Sequence, residues 1–194
     1  ENGVQVWTTY YGGTGVETPS NLFYNGTILM IVGSTSSSDF PTMNPGLGAF
    51  FDNTLGGALD GFVIAFSIAD VRVWSTYIGG ATAGPSALAD DAVNDCTFKN
   101  NRLIITGYTK ATDFPLLANG SAYYDNSHVW CDVFITEFTG LFNLTWSTLL
   151  GNDGYSLDPY CDIDSLGRLC VTYSTTSTNI PLVNTLPGSY SQAY

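Results

Sequence analysis

The segment Val6-Trp7-Thr8-Thr9-Tyr10-Tyr11-Gly12-Gly13 recurs twice in this chain. The second copy is Val73-Trp74-Ser75-Thr76-Tyr77-Ile78-Gly79-Gly80, and the third is Thr145-Trp146-Ser147-Thr148-Leu149-Leu150-Gly151. The tryptophans at 7, 74 and 146 are therefore spaced by 67 and 72 residues. Self-similarity at a nearly fixed spacing is the sequence signature of a repeat architecture.

Two further elements keep this spacing. Gly33-Ser34-Thr35 leads to Asp39-Phe40-Pro41, and the pattern returns at 107–115 and, with Asn179 in place of the aspartate, at 173–181. Gly61-Phe62-Val63-Ile64-Ala65-Phe66 returns as Val133-Phe134-Ile135-Thr136-Glu137-Phe138. A degenerate third copy is Ser189-Tyr190-Ser191-Gln192-Ala193-Tyr194, where tyrosines replace both phenylalanines. One unit is thus used three times.

Each element has the features of a β-strand. The segments are short, rich in β-branched and aromatic residues, and bounded by Gly, Pro or Asn, while no window shows a helical period. The first two strands of each unit are predicted to form a hairpin, because Asn25-Gly26 favours a tight turn and Asn100-Asn101 and 165–167 occupy the matching places. A complete unit is predicted to contain four antiparallel strands.

The units divide the chain into a single all-β domain, 1–194, of three blades. Blade 1 covers about 21–80 and blade 2 about 94–152, while blade 3 combines about 160–194 with the N-terminal strand 4–13. The chain opens with a Trp strand that lacks its predecessors and closes with a unit that lacks its Trp strand. An end strand that completes the last blade is typical of a propeller.

These motifs resemble the bacterial β-propeller repeat of SBBP type. The resemblance covers nearly the whole chain and rests on three segments: the Trp-Ser-Thr-Tyr-x-Gly-Gly strand, the segment ending in Asp-Phe-Pro, and the Phe strand. It implies a propeller-like all-β fold and an extracellular location, without a common catalytic activity. Three units of about 70 residues are longer and fewer than the family pattern.

The number of units leaves two architectures open. Closed propellers have about four to eight blades, so three units form either a compact three-bladed body or an open assembly. In the open assembly, the end strand of one molecule completes the third blade of its neighbour. Strand addition supplies main-chain hydrogen bonds, and a head-to-tail contact that does not close generates filaments.

Composition excludes two classes of partner. Five Lys and Arg against 17 Asp and Glu give a net charge of −12, which cannot supply a cationic surface for nucleic acid. The longest aliphatic run, Ile28–Val32, is far shorter than the roughly 20 residues of a membrane span. The chain begins at Glu1, as a mature secreted protein would after removal of a signal peptide, although a trimmed chain would look the same.

No catalytic or cofactor-binding constellation is evident. His128 is the only histidine, and a solvent-facing loop residue is the favoured interpretation over a triad or a zinc ligand. Pairs of carboxylates are expected from abundance alone, which weakens a glycosidase hypothesis. An acidic segment is a weak candidate for structural calcium, with solvated turn residues as the simpler interpretation; its oxygen ligands would come from Asp153, Asp158, Asp162 and Asp164.

Four cysteines in a secreted chain predict disulfides. A four-residue hairpin loop at 164–167 would place Cys161 opposite Cys170, and Cys96 with Cys131 then follows by elimination. Reduced thiols remain the alternative. Three N-glycosylation sequons start at Asn25, Asn119 and Asn143, and all three fall in predicted turns or loops.

The function expected from these features is that of a non-enzymatic structural protein. Sparse charge, the split third blade and the low repeat number favour a secreted glycoprotein that forms a homopolymeric filament or sheath by strand complementation. The aromatic residues are better explained as core than as a sugar-stacking platform. The alternative is a secreted propeller module whose loops bind a glycan or a protein ligand.

Overall fold

The computed structural model describes residues 3–5 and 7–180 of the chain. This part is all-β, as predicted, with ten strands and no helix. The strands are β1 (Glu17–Tyr24), β2 (Ile28–Thr35), β3 (Asp60–Ser67), β4 (Arg72–Ile78), β5 (Asp91–Lys99), β6 (Arg102–Thr109), β7 (Asp132–Thr139), β8 (Leu144–Leu150), β9 (Ser156–Ile163) and β10 (Leu169–Thr175). Accordingly, no helix in the described residues is long and apolar enough to span a membrane.

The strands form three antiparallel sheets. Sheet 1 has the order β1-β2-β3-β4, sheet 2 has the order β5-β6-β7-β8, and sheet 3 contains β9 and β10. The first two sheets match the predicted four-stranded units. Sheet 3 has two strands within the described residues, and its predicted third strand at 189–194 lies outside them. The three predicted four-stranded blades are therefore not confirmed: the described part of 4–13 forms no strand with sheet 3, and the described sheets do not close into a propeller.

The predicted hairpin turns are confirmed. Gly26 has a φ of 93°, and Asn100 and Asn101 have φ values of 53° and 62°, which short polar side chains tolerate better than most. The third turn differs in length. Asp164 and Arg168 pair at its base and Gly167 has a φ of 81°, so the loop has three residues and ends in a glycine bulge.

Corresponding strands in the first two sheets pair in the same register. Gly33 of β2 lies opposite Phe62 of β3, and Gly107 of β6 lies opposite Phe134 of β7. A Cβ on Gly107 would lie 1.9 Å from the carbonyl oxygen of Ala92 and 2.5 Å from the Phe134 ring. The glycine is therefore required by the close approach of strand backbone and aromatic ring.

The sheets stack face to face. The main core lies between sheets 1 and 2 and is built around fully buried Trp74, Phe134 and Phe138. A second core joins the opposite face of sheet 2 to the β9–β10 hairpin through Ile104, Ile135 and Ile163. Within the described residues, sheet 2 is thus covered on both faces, whereas another sheet covers sheet 1 on one face only.

Candidate assembly interface

The N-terminal segment, defined as residues 7–15, covers part of the open face of sheet 1. The Trp7 ring lies 6.2 Å from the Phe66 ring, and Tyr11 packs edge-on against Phe40 and Phe66 at 5.4 and 6.0 Å. These aromatic contacts add to the apolar cluster on that face of the sheet. The segment is assigned no strand within its described residues, so it lies on the sheet without extending it.

Polar contacts fix Tyr11 on sheet 1. Its hydroxyl donates to the carbonyl oxygen of Pro41 and lies 3.0 Å from Ser75 Oγ. Arg72 donates to the same hydroxyl at 2.7 Å, and its guanidinium lies 5.5 Å from the ring centroid. Because each polar group has a defined partner, Tyr11 is an anchor of the N-terminal segment.

The aromatic contact of Trp7 repeats one that is internal to the chain. Trp74, in the second copy of the Trp motif, lies edge-on to Phe138 of sheet 2 with ring centroids 5.4 Å apart. Phe66 and Phe138 hold equivalent positions in their repeats. The N-terminal segment therefore meets sheet 1 as β4 meets sheet 2.

A carboxylate contact repeats in the same way. Asp39 accepts a hydrogen bond from the Thr14 amide at 2.8 Å, and Asp113 accepts one from the Thr82 amide at 2.8 Å. The hydrogen bond from Thr14 lowers the pKa of Asp39. Each aspartate thus holds the loop that follows the preceding Trp segment.

A third equivalence lies where each sheet begins. Glu17, the first residue of β1, accepts a hydrogen bond from the Gly13 amide at 3.3 Å. Asp91, the first residue of β5, accepts one from the Gly80 amide at 2.8 Å. In the first two copies of the Trp motif, the amide of the second glycine is thus bound by the carboxylate that begins the following sheet.

The open face of sheet 1 also carries a groove of about 480 Å³. Its lining is mostly apolar, with the Glu17 carboxylate at one side. The corresponding face of sheet 2 is covered by sheet 1. The groove is lined by Tyr11, Glu17, Leu22, Ile31, Phe62 and Ile64, among others.

Two buried carboxyl groups lie at the junction of sheets 1 and 2. Burial raises the pKa of Asp60 to about 6 and that of Asp91 to about 7. The nearby Asp60 carboxylate also raises the pKa of Asp91, and Asp52 and Asp113 also raise the pKa of Asp60. Asp60 accepts hydrogen bonds from the Gly56 and Gly57 amides at 2.8 and 3.1 Å. Sequence analysis missed this pair, although both residues begin a strand that follows a Gly-rich or acidic turn.

His128 is placed differently from the prediction. Its side chain is only 4% exposed, and Nδ1 lies 2.9 Å from Asp132 Oδ2. The expected solvent-facing position is therefore wrong, because the loop before β7 folds inward and pairs the imidazole with the first carboxylate of that strand. Proximity to Gly84, whose Cβ would lie 2.8 Å from His128 Nε2, shows how closely the loops pack.

The structure does not bring the four calcium candidates together. Asp153 precedes β9 and accepts hydrogen bonds from Ser177 and Thr178, whereas Asp164 follows β9 and binds Arg168 at 2.7 Å. Asp158 and Asp162 are exposed within the strand. Among the described residues, no group of three or more His, Cys, Asp or Glu side chains is arranged to hold a metal ion.

The predicted disulfides are also not formed, and all four cysteines are free. The three-residue loop shifts the hairpin register by one, so Cys161 faces Val171 and Cys170 faces Asp162. A one-residue shift turns a side chain to the other face of the sheet. Cys96 shares a cross-strand row with Thr136, five residues beyond Cys131, which is about 16 Å along a strand and too far for a bridge.

The three sequons differ in accessibility. Asn25 and Asn119 are exposed at turns. Asn143 is partly buried, and its Nδ2, the atom that would carry a glycan, donates to the Leu47 carbonyl oxygen at 3.1 Å. The structure thus favours the first two sites over the third.

The sequence matches no protein-family model and no curated protein. The resemblance to the bacterial β-propeller repeat therefore stays a prediction that rests on the three repeated motifs.

Proposed function

We propose that this protein is a non-enzymatic extracellular structural subunit that polymerises by β-strand complementation. One observation carries the proposal: the N-terminal segment repeats, on sheet 1, the three contacts that β4 and the loop after it make on sheet 2. These are the contacts of Trp7 with Phe66, of Thr14 with Asp39 and of Gly13 with Glu17.

The equivalence assigns a role to the segment. β4 is the last strand of sheet 1, so a segment that contacts the next sheet in the same way is suited to be the last strand of a preceding sheet. In the proposed architecture, that preceding sheet is a third blade built on β9 and β10. It belongs to the same chain in a closed body or to the next molecule in a filament.

The filament is the favoured arrangement for a physical reason. A closed propeller usually needs at least about four blades, and this chain supplies three. An open stack places no limit on the number of blades. A contact between unlike ends of two copies is heterologous and propagates when it does not close. Its main-chain hydrogen bonds and buried aromatic rings would make it specific.

The proposed extracellular location has its own support. Only 11% of residues are charged, so hydroxyl, amide and glycine groups cover much of the surface. Two sequons, at Asn25 and Asn119, are exposed at turns where a glycan meets no packed neighbour.

The test compares two tryptophans of equal exposure. Trp7 is 41% exposed and contacts sheet 1, while Trp130 is 40% exposed and stacks on Tyr155 away from the N-terminal segment. Electron microscopy and light scattering of the full chain are expected to show fibres for the native protein and for Trp130→Ala, and dissociated subunits for Trp7→Ala. A native protein that stays monomeric at high concentration would overturn the proposal.

The groove on sheet 1 favours a second candidate function. Its apolar lining beside a carboxylate suits recognition of a glycan or of a protein side chain. A secreted module of this kind would bind its ligand saturably as a monomer, and Ile31→Lys, which charges the groove, would abolish that binding. A glycan array and a titration with the monomeric protein measure this binding. If neither assay detects a ligand, the binding-module function is contradicted.

A further inference from the structure

A second groove, of about 410 Å³, lies beside Trp146, where sheet 2 meets β10. It combines an aromatic wall with an ion pair: Arg102 Nη2 lies 2.7 Å from Glu137 Oε2, and their side chains are 34% and 17% exposed. Asn119, the acceptor of the second sequon, also lines the groove. A glycosylation acceptor thus borders a surface that is both aromatic and charged. The groove is lined by Arg102, Asn119, Tyr123, Glu137, Trp146 and Leu169, among others.

The repeats show which site in the first unit corresponds to this groove. The Trp74 indole donates to the Phe50 carbonyl oxygen at 2.8 Å, and the Trp146 indole donates to the Tyr123 carbonyl oxygen at 2.9 Å. Each tryptophan is thus held in the same way by the loop of its own unit.

The two tryptophans differ in what covers them. Trp74 is fully buried because two rings of the following unit pack on it: Phe138 edge-on at 5.4 Å and Phe142 stacked at 4.5 Å. Trp146 is only partly buried, and no aromatic ring of the described residues packs on it in this way. The groove corresponds to the place that these rings fill in the first unit.

Two substitutions between the repeats make the walls of this groove polar. Ile28 and Ala65 stand in the first unit where Arg102 and Glu137 stand in the second. A guanidinium supplies hydrogen-bond donors and a carboxylate supplies acceptors, beside the apolar face of an indole. A sugar ring matches this combination, because it has an apolar C–H face and a rim of hydroxyl groups.

The sequon is also specific to the second unit. The loop after Met43 is Asn44-Pro45-Gly46, and the loop after Leu117 is Ala118-Asn119-Gly120-Ser121. Met43 and Leu117 are equivalent, since each forms a bridge with the serine after the tryptophan of its own unit. Asn44 is not an acceptor, because a sequon excludes proline at its second position and requires Ser or Thr at its third. The unit whose tryptophan is covered therefore lacks the acceptor, and the unit with the groove has it.

The local backbone fixes the acceptor relative to the indole. Asn119 is exposed and begins a tight turn, in which the Ala122 amide donates to the Asn119 carbonyl oxygen at 3.0 Å and Gly120 has a φ of 54°. Tyr123, the next residue, is the one whose carbonyl oxygen accepts the Trp146 indole hydrogen. The turn thus ties Asn119 to the wall of the groove.

We propose that this groove is the seat of the glycan that Asn119 itself carries, with an inner sugar stacked on Trp146 and its polar groups on the Arg102–Glu137 pair. The glycan comes from a lipid-linked oligosaccharide. A bond forms between Asn119 Nδ2 and C1 of the first sugar, the bond from C1 to the phosphate oxygen breaks, the lipid pyrophosphate leaves, and the amide gives up one proton to water.

The covalent link explains how a shallow groove can hold a sugar. A tethered ligand is present at an effective concentration on the order of millimolar, so that even a weak contact between sugar and indole is populated. The inference rests on the extracellular location in the proposed function but does not require assembly. It concerns a single molecule, whereas the filament concerns two.

The first experiment looks for the contact directly. The full chain is secreted from a glycosylating host with an isotopically labelled glycan, in the Trp7→Ala background if the native chain forms fibres. Peptide mass spectrometry measures occupancy of Asn119, and the sugar signals that Asn119→Gln removes are assigned to its glycan. Expected are upfield ring-current shifts of these signals and nuclear Overhauser effects to an indole. Trp146→Leu should abolish both, and Trp130→Leu, at a position 40% exposed, should abolish neither.

Three results of this experiment overturn the inference. Asn119 can be unoccupied while Asn25 is occupied, or Asn119 can carry a glycan whose signals match those of the Asn25 glycan, with no indole contact. A contact that Trp146→Leu leaves intact would place the sugar elsewhere on the surface. Fibres without the sugar contact remove this inference alone, and the contact in a strict monomer removes the filament alone.

A second experiment tests the role of the ion pair. Asn119→Gln is expected to lower the melting temperature of the glycosylated protein, and to lower it less when Arg102→Ile and Glu137→Ala recreate the walls of the first unit. Asn25→Gln is the matched control and should have the same effect in both backgrounds. Material from a host that does not glycosylate should show no effect of Asn119→Gln. Equal effects of Asn119→Gln in both glycosylated backgrounds would show that the glycan does not meet the ion pair.

Discussion

The carboxyl groups of Asp60 and Asp91 both lie against Gly79, where a Cβ would be 3.0 Å from an Asp60 oxygen and 2.7 Å from an Asp91 oxygen. Asp60 begins β3 of sheet 1 and Asp91 begins β5 of sheet 2, so the pair spans the junction of the two sheets. Asp60 is 1% exposed and Asp91 is fully buried. The packing of the sheets is thus coupled to the protonation of two acids.

This coupling predicts stability that falls as the pH rises from about 4 to about 7. The folded-state pKa values, about 6 and about 7, lie above the ordinary value of 3.8, so the folded protein binds more protons than the unfolded chain across this range. Each acid contributes a loss on the order of 3 kcal/mol, since one pKa unit corresponds to about 1.4 kcal/mol. Thermal unfolding monitored by circular dichroism across this range measures the slope.

Below about pH 4 the opposite effect takes over. Glu17, Asp39 and Asp113 have lowered pKa values, so protonation removes the stability that their hydrogen bonds contribute. Maximum stability is therefore expected near about pH 4 to 5. Asp91→Asn should flatten the slope above that maximum, whereas Asp70→Asn, in an exposed turn, should leave it intact; an unchanged slope in Asp91→Asn would contradict the assignment.

Local patterns predicted the strands but not the long-range partners. Hairpin turns at Asn25-Gly26 and Asn100-Asn101 follow from residues that tolerate positive φ, so their positions are visible in the sequence. The N-terminal Trp segment has the composition of a strand, yet its place on sheet 1 depends on Phe66 and Asp39, which lie far along the chain. No local rule identifies those partners.

The errors in the candidate site have equally specific causes. One residue in the length of the 165–167 loop decides whether Cys161 faces Cys170 or Val171, and a glycine bulge sets that length. Burial of His128 depends on a carboxylate four residues later at the start of a strand. The pairing of Asp60 with Asp91 required the stacking of two sheets, which repeat spacing alone does not specify.

A pair of equivalent phenylalanines tests the stacking of sheets 1 and 2. Phe138→Ala is expected to lower the free energy of unfolding by about 3 to 5 kcal/mol, because it opens a cavity beside Trp74 in the main core. Phe66→Ala should cost clearly less in a dissociated subunit, since Phe66 lies in the smaller cluster on the face of sheet 1 that no other described sheet covers, with Trp7 and Tyr11 against its ring. Chemical denaturation of both variants measures the difference, and equal losses would mean that the two faces are equally covered.

Cys170 is expected to react with thiol reagents faster than the other three cysteines. Cys170 is exposed, whereas burial raises the pKa values of Cys131 and Cys161 to about 12 and raises that of buried Cys96 as well. Since the thiolate is the reactive form, iodoacetamide at neutral pH should modify Cys170 first in the native protein. Peptide mass spectrometry identifies the modified residue. Rapid modification of Cys161 would show that the β9–β10 hairpin opens, and modification of all four after denaturation is the control.

Glycosylation is expected at Asn25 and Asn119 and not at Asn143. A glycan on Asn143 would break the hydrogen bond from its Nδ2 to Leu47, and Gly48 lies close enough that its Cβ would be 2.8 Å from the same nitrogen. Asn25 uses its Oδ1 to accept hydrogen bonds from Thr27 and Ile28, so that turn contact leaves its Nδ2 for the glycan. Expression in a glycosylating host, followed by site-specific mass spectrometry, measures occupancy at each site. Asn25→Gln and Asn119→Gln together should remove all glycan, and full occupancy of Asn143 would mean that the loops around 47 and 143 separate before the chain is folded.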